Sequence, residues 1–359
     1  MNRVFKTGVK VVLGVVALMV IAAGVFLFRP APIDPVAWTP PKRPELTGVL
    51  APNDLLQRAE LLATGQVNGP EEIAVDSQGR IYAGTIDGTV VRLLPGGGLE
   101  IFAETGGRPA GLRFAANGDL IACDTYKGLL RIDPEGKIEV LATEAEGVPF
   151  RLTDGVDVAR DGTIYFTDAS FKFDVAHFLH DFLENRPHGR FMSYDRASGA
   201  VTVLLRDLHF ANGVALSAQE DFVLVAETSR FRVIRYWLQG PRAGTHEVFI
   251  ENLPGYPDNV TSNGTGVFWL ALASLRDDSN DRMLSSVFLL KQLAKLPLSM
   301  VPAPKPYGLV LALDEDGRIT RSLHDPTGKH LWAVTSAREH EGHLYLGTFE
   351  GDRIGRYRL

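Results

Sequence analysis

The chain has 359 residues, of which 45% are hydrophobic and 22% charged, and it contains a single cysteine. This length and apolar content exclude an intrinsically disordered chain, and the lone Cys123 excludes an internal disulfide framework and a multi-cysteine zinc site. Residues 30–359 carry 33 basic and 43 acidic residues, a net charge of −10, which argues against nucleic-acid binding and favours a cation or a neutral substrate.

The N-terminal segment is predicted to anchor the chain in a membrane. Residues 11–28 are 18 uncharged, almost wholly apolar residues, and a helix of that length spans about 27 Å, close to the hydrocarbon thickness of a bilayer. A cleaved signal peptide is the alternative, but Arg29-Pro30 follows where a small-x-small cleavage site would stand. Basic residues before the span predict a cytoplasmic N-terminus and a body on the periplasmic or extracytoplasmic side. The proline-rich residues 30–50 predict a stiff, extended spacer.

Residues 51–359 contain six copies of a strand-like run that follows a turn. The copies are TVVRLL (89–94), GLLRID (128–133), GRFMSYD (189–195), FRVIRYW (231–237), YGLVLALD (307–314) and DRIGRYRL (352–359). Equivalent positions are 39, 62, 42, 76 and 45 residues apart, and three of these intervals approach the roughly 40–45 residues of a four-stranded propeller blade. A second strand-like run precedes each copy. The repeat therefore predicts an all-β fold, a six-bladed β-propeller.

Two insertions account for the two long intervals. Removing residues 171–189 and 276–306 restores a spacing of 43 to 45 residues, and we expect both insertions to form helical lids over the channel, with Phe178, Phe182 and Phe288 as its apolar roof. The last repeat is one strand short, so a strand within LLQRAELLA (55–63) is predicted to close the ring.

The first strand of every blade lines the channel of a propeller, so one repeat position from each blade should converge there. In chain order this position holds Glu71, Ala110, Asp154, Asn212, Asp258 and Ser336. Four of the six carry oxygen ligands that a hard cation prefers, and the neighbours Thr153 and Asn259 add two more. Each Asn or Asp alone fits a turn better than a ligand. Their coincidence in one register is what indicates a cation site.

These residues resemble a known superfamily of six-bladed, calcium-dependent propellers, which contains the strictosidine synthase-like proteins, gluconolactonase and regucalcin, and the paraoxonases. The resemblance runs in order through GPEE, DGTIYFTDAS, FANGVALS, DFVLVAET, LPGYPDN and EHEGHLYLGTF and covers nearly the whole chain after the anchor. It includes the branch of adipocyte plasma membrane-associated proteins, whose single N-terminal span is a similar layout.

The resemblance implies a bound Ca²⁺, or another divalent cation, in the channel. The implied ligands are Glu71, Asn212, Asp258 and Thr153. The family carries an Asn at the last of these positions, so the resemblance leaves open whether Thr153, a water or the adjacent Asp154 completes the site.

The resemblance also implies a hydrolase of small lactones or aryl esters. Asp258 or Asp154 would take a proton from the attacking water, while Arg151 and Tyr126 would contact the substrate. The catalytic Glu of strictosidine synthases corresponds to Thr335, so condensation chemistry is not expected, and the first His of the paraoxonases corresponds to Ala110. These departures keep open a second hypothesis, a non-enzymatic, membrane-tethered binding propeller with a structural metal.

Overall fold

A computed structural model describes residues 2–297, 300–301 and 304–359. The chain begins with a long helix, α1 (Asn2–Phe28). Within it, Thr7–Phe28 is by length and composition the one helix of the described residues that could cross a membrane, and it is not buried against the rest of the protein. The N-terminal helix is therefore a candidate membrane anchor.

Six four-stranded antiparallel sheets follow and form the predicted six-bladed propeller. The ring is closed by β1 (Glu60–Leu62). Blade 1 contains β2 (Ile73–Val75), β3 (Ile81–Gly84), β4 (Thr89–Leu93) and β5 (Leu99–Glu104). Blade 2 contains β6 (Pro109–Phe114), β7 (Leu120–Asp124), β8 (Gly128–Ile132) and β9 (Ile138–Ala142). A short hairpin, β10 (Glu144–Ala145) and β11 (Val148–Pro149), leads to the next blade.

Blades 3 to 6 repeat the arrangement. Blade 3 contains β12 (Thr153–Val158), β13 (Ile164–Asp168), β14 (Gly189–Asp195) and β15 (Ala200–Leu208). Blade 4 contains β16 (Ala211–Leu216), β17 (Phe222–Glu227), β18 (Arg232–Trp237) and β19 (His246–Ile250). Blade 5 contains β20 (Gly255–Ser262), β21 (Phe268–Leu275), β22 (Gly308–Leu313) and β23 (Ile319–Asp325). Blade 6 contains β24 (Val334–His340), β25 (His343–Thr348) and β26 (Ile354–Arg358).

The outermost strand of blade 6 comes from the start of the propeller sequence. Strand β1 pairs antiparallel with β26, with Glu60 opposite Arg356 and Leu62 opposite Ile354, and the Arg356 guanidinium lies 2.5 Å from the Glu60 carboxylate. The predicted ring closure is therefore confirmed. The pairing of β1 with β26 joins the first and last strands of the propeller and gives blade 6 its fourth strand.

The second strand of a blade is buried on both faces, because each blade packs against two neighbours. All five residues of β7 and all six of β17 are buried. Cys123 lies in β7 with no exposed surface. This two-sided burial explains why these segments are continuous apolar runs instead of alternating ones.

Both insertions join the second strand of a blade to its third strand. The first contains α2 (Phe178–Glu184), and the second contains α3 (Asp278–Met283) and α4 (Val287–Leu293). In an antiparallel meander this connection lies at the same end as the start of the first strand, which we call the entry end. The insertions and the predicted site residues therefore share one end of the propeller.

The proline-rich segment after α1 packs along the entry end. Its Val36 N–H donates to Glu184 O at 3.0 Å, and its Trp38 N–H donates to Leu284 O at 2.9 Å. Residues 30–47 form no helix or strand, and the segment is hydrogen-bonded to both insertions.

Candidate functional site

The predicted site positions lie where the first strands are irregular. In blades 2 to 6 the pairing between first and second strand shifts register near the strand start. The shifts fall between Pro109 and Gly111, Thr153 and Val156, Ala211 and Val214, Pro257 and Val260, and Val334 and Ser336. Such bulges are common beside functional sites because they redirect side chains. They also explain why alternation along the sequence does not decide which of two adjacent residues faces the channel.

Glycines let the first strands approach one another closely at the channel. A Cβ on Gly155 would lie 2.6 Å from Asn212 O, and a Cβ on Gly213 would lie 2.4 Å from Asn259 Cα. Real side chains do not fit at such separations, so the Gly after Asp154 and the Gly after Asn212 are packing requirements. The polar residues of blades 3, 4 and 5 are brought together as a result.

Three buried carboxylates at the entry end interact electrostatically. Asp154, Asp258 and Glu71 are 4%, 8% and 6% exposed. Burial raises the pKa of Asp154 well above its ordinary value, and the charge of Glu71 raises it further. Burial, followed by the charges of Asp154 and Glu71, raises the pKa of Asp258 in the same direction. The site is therefore strongly negative when all three groups are ionised.

Two buried side-chain oxygens at this site, one from a carboxylate and one from an amide, lack hydrogen bonds. Asp154 Oδ1 and Asn212 Oδ1 have no partner among the described residues, while the Asn212 side chain hydrogen-bonds Asp258. Buried polar atoms are rarely left unpaired, and oxygens of this kind are what Ca²⁺ binds. No three His, Cys, Asp or Glu side chains in the described ranges group closely enough to hold a metal alone. A cation here would need the amide of Asn212 with the two aspartates, and this donor set fits a hard cation.

Glu71 has a different partner. Arg108 Nε donates to Glu71 Oε2 at 2.9 Å, and Nη2 lies 2.7 Å from the same oxygen. The guanidinium also covers the ring of Phe349 at 4.2 Å from its centroid. The sequence analysis did not identify Arg108. Its position immediately before β6, the first strand of blade 2, could have indicated that it lies at the entry end. The carboxylate expected as a metal ligand is thus already neutralised by a buried cation.

Thr153 is fully buried, and its hydroxyl donates to Asp124 O in blade 2 at 2.6 Å. That hydrogen bond ties blade 3 to blade 2, and it leaves the neighbouring Asp154 as the side chain with an unsatisfied oxygen. The role of Thr153 as a ligand remains a prediction. In blade 6, the hydroxyls of Thr335 and Ser336 each donate to Glu71 O at 2.8 Å, so both residues fasten blade 6 to blade 1.

The residues expected to contact substrate lie at the rim. Arg151 is exposed, and Tyr126 is 55% exposed. The backbone N–H groups of Arg151 and Leu152 donate to Asp168 Oδ1 at 3.2 and 2.9 Å. Burial raises the pKa of Asp168 to about 6 although its ion pair with Arg190 opposes the shift. Asp168 thus holds the rim segment in place from below.

The first insertion roofs the entry end with aromatic rings. Phe178 meets Phe349 edge-on at 5.8 Å, and Phe182 stacks on Phe210 at 4.5 Å. This part of the predicted roof is present. Phe288, also expected in the roof, is instead 60% exposed on α4, because the buried side of that short helix is occupied by Leu290.

The sequence of this chain is similar to those of several known proteins. Sequence profiles described as "Strictosidine synthase" and "Strictosidine synthase-like, N-terminal" match residues 154–241 and 48–93. The adipocyte plasma membrane-associated protein of Rattus norvegicus is 37% identical over 371 residues, covering 96% of this chain and 97% of the rat protein.

Two solved structures share the fold. A gluconolactonase from Xanthomonas campestris superposes with a TM-score of 0.62 at 18% identity and covers 92% of this chain and 99% of its own. Regucalcin from Agrobacterium tumefaciens, described as a calcium-binding protein, superposes with a TM-score of 0.60 at 14% identity and covers 83% and 92%.

Proposed function

This chain belongs to the family of adipocyte plasma membrane-associated and strictosidine synthase-like proteins, and we propose that it is a membrane-anchored, calcium-dependent hydrolase of lactones or aryl esters. The observation that carries the proposal is the pair of unsatisfied buried oxygens, Asp154 Oδ1 and Asn212 Oδ1, beside Asp258 at the entry end of the channel. The shared fold with a gluconolactonase and a calcium-binding regucalcin supports it.

Asp154, Asn212 and Asp258 would hold the cation, with Thr153 and Glu71 as the further predicted ligands. A bound Ca²⁺ would supply a Lewis acid that polarises the ester or lactone carbonyl. The mutual repulsion of the carboxylates makes this position favourable for positive charge, because each ionised group raises the cost of ionising the next.

Two carboxylates are suited to accept the proton of an attacking water. Burial and the charge of Glu71 raise the pKa of Asp154, while burial and the charges of Asp154 and Glu71 raise the pKa of Asp258. A bound cation would favour the ionised form of both carboxylates, which is the form that accepts a proton. Asp258 is oriented by its hydrogen bond from Asn212, whereas Asp154 Oδ1 has no competing donor.

Arg108 is suited to stabilise negative charge on the substrate. Its Nε donates to Glu71, but its Nη2, although close to Glu71, has no hydrogen-bond partner among the described residues, so Nη2 would be available to a substrate oxygen. A fixed donor in a water-poor site is the arrangement that stabilises a developing oxyanion. Arg151 and Tyr126 would contact the rest of the substrate at the rim.

Substrate access requires the lid to move. The rings of Phe178 and Phe182 cover the entry end, whereas a cavity of about 320 Å³ opens near Arg113 and Arg338 at the opposite end and includes none of the predicted site residues. Opening of the first insertion would admit substrate, and its closure would exclude water.

The topology proposed with this function puts the N-terminus in the cytoplasm and the propeller on the extracytoplasmic side. It is supported by the basic residues Arg3, Lys6 and Lys10 before the apolar stretch 11–28 and by the absence of acidic residues among residues 1–10. Protease protection in sealed membranes tests it, since the propeller should be cut only from the extracytoplasmic side.

The test of the function is hydrolysis of phenyl acetate and of γ-lactones by the purified full-length protein, with Ca²⁺ or with a chelator. Calcium-dependent turnover is expected, and its absence from both substrate classes would contradict the proposal.

A second function is favoured by one observation, the Arg108–Glu71 ion pair. If this pair is permanent, Glu71 does not bind the cation. The channel residues and any bound metal would then only stabilise the fold, and the protein would be a non-enzymatic, membrane-tethered binding propeller. Chelation that lowers the Tm without any turnover on an ester and lactone panel would support that function.

A further inference from the structure

The second insertion presents an apolar surface that the propeller does not cover. Val287, Phe288 and Leu289 are consecutive in α4 and are 37%, 60% and 44% exposed, whereas Leu290 is fully buried. The helix is anchored at its start by Ser286 Oγ, which accepts from Leu289 N–H at 3.3 Å. Three adjacent exposed apolar side chains on an ordered helix indicate a contact surface. We call these three residues the α4 surface.

The end of this insertion is joined to the end of the candidate membrane span. Lys295 Nζ donates to Phe26 O at 3.2 Å and to Leu27 O at 2.9 Å, and Arg29 donates in return to Lys295 O. Carbonyls in the last turn of a helix lack intrahelical partners and attract cations. The ammonium group of Lys295 therefore caps α1 and fixes the insertion beside it.

This junction lies at the edge of the hydrocarbon layer if α1 crosses a membrane, as proposed above. The 22 residues of Thr7–Phe28 extend about 33 Å as a helix, and a bilayer core is about 30 Å thick. Phe288 precedes Lys295 by only seven residues, and α4, which ends two residues before Lys295, is itself about 10 Å long. The whole α4 surface thus lies within reach of the interface between acyl chains and headgroups.

The segment after the span also keeps the entry end close to the membrane. Asn185 Nδ2 donates to Val36 O at 2.9 Å, and Arg230 lies 4.2 Å from the ring centroid of Trp38. Only seven residues separate Phe28 from Val36. The propeller is therefore not held at the end of a long free linker.

From these contacts we propose that the α4 surface docks on the same bilayer that α1 spans, so that the entry end of the channel faces the membrane. The lipid bilayer is the occupant because Lys295, in the same insertion, is hydrogen-bonded to the last turn of the span. Met300, 64% exposed, is a further apolar side chain of that insertion. The apolar side chains of interfacial helices enter the boundary between headgroups and acyl chains in this way. For the proposed hydrolase, this orientation favours esters or lactones that partition into lipid, but the docking does not depend on that activity.

The experiment uses the full-length chain in liposomes with an environment-sensitive fluorophore on an introduced cysteine. Cys123 has no exposed surface and serves as the unlabelled background. Phe288→Cys reports on the α4 surface, and Val287→Cys repeats the measurement at a second position. Ala116→Cys is the matched control, because Ala116 is exposed in the turn between β6 and β7 at the opposite end of the propeller.

We expect the labels at 287 and 288 to be quenched several-fold more strongly by nitroxide-bearing lipids than the label at 116, and less by aqueous iodide. Equal quenching at 288 and 116, in protein that resists carbonate extraction from the liposomes, would overturn the docking. Loss of the protein on carbonate extraction would overturn the anchor as well. Shielding of 288 only in native membranes, and not in pure lipid, would identify a protein partner and also contradict the proposal.

Discussion

The guanidinium of Arg108 and the carboxylate of Glu71 form a buried ion pair, 2.7 Å apart, at the entry end of the channel. Both side chains are at most 10% exposed, so each depends on the other to offset the cost of removing its charge from water. The partner of Glu71 distinguishes the two proposed functions. In a calcium-dependent hydrolase Glu71 would leave Arg108 to bind the cation, whereas in a non-enzymatic propeller Glu71 would stay paired with Arg108.

Arg108→Met should therefore destabilise the protein by about 3–5 kcal/mol, since it leaves the buried Glu71 carboxylate unpaired. Denaturant unfolding of the variant measures this loss, with Arg242→Met as an exposed control that should change little. If Glu71 binds the cation, added Ca²⁺ will recover much of the loss. No recovery would show that Glu71 is not a ligand.

Asp154→Asn should raise the stability of the calcium-free protein by roughly 1–2 kcal/mol, about one pKa unit of electrostatic relief. The reason is that it removes one of three buried carboxylates that repel each other. The same variant should lose the increase in Tm that Ca²⁺ gives the wild-type protein. Asn212→Ala should lose that increase without gaining stability. A full calcium response in both variants would rule out the proposed donor set.

Phe182→Ala should loosen the lid, because the stacked contact with Phe210 at 4.5 Å is lost. We expect a global loss below the about 3–5 kcal/mol of a fully buried Phe→Ala change, since Phe182 is only partly buried, but much faster tryptic cleavage after Lys172, which precedes α2. Val287→Ala is the control, since it alters an exposed position in the other insertion. Unchanged cleavage in Phe182→Ala would mean that the roof is held by other contacts.

His324 predicts a pH effect far from the channel. It is fully buried in β23 beside Tyr307 and Ser322, and burial lowers its pKa from 6.5 to about 4. A lowered folded-state pKa means that the unfolded chain binds the proton more readily. Stability should then fall as the pH drops from about 6.5 to about 4, by about 3 kcal/mol.

His324→Asn should flatten this part of the stability curve, and denaturant midpoints at several pH values measure it. His246→Asn, at an exposed position, should leave the slope as it is in the wild-type protein. An unchanged slope in His324→Asn would show that another group causes the acid sensitivity.

The six blades, the two insertions and the closing strand could be predicted because they rest on repeats that span hundreds of residues. The detailed chemistry of the channel could not. Arg108 has no counterpart in the repeat position that holds Glu71 and Asp154, and its pairing depends on two loops from different blades. The bulge between Thr153 and Val156 breaks the alternation from which side-chain direction is inferred.

The sequence also did not allow us to predict which side chains of the second insertion are exposed. Phe288 looks like a roof residue because aromatic side chains in an insertion near a channel are usually buried. In the structure Leu290, which is fully buried, faces the protein interior in place of Phe288. The contact of Lys295 with the last turn of α1 joins segments more than 260 residues apart. Such a long-range contact leaves no periodic trace in the sequence.

The most direct test of the central claim is the rate of phenyl acetate hydrolysis by the full-length protein and by Asp258→Asn, each with Ca²⁺ and with a chelator. Asp316→Asn, an exposed carboxylate at 69% side-chain exposure, is the matched control. The account predicts calcium-dependent turnover that is kept in Asp316→Asn and falls by about 100-fold or more in Asp258→Asn. Turnover that neither the chelator nor Asp258→Asn reduces would contradict it.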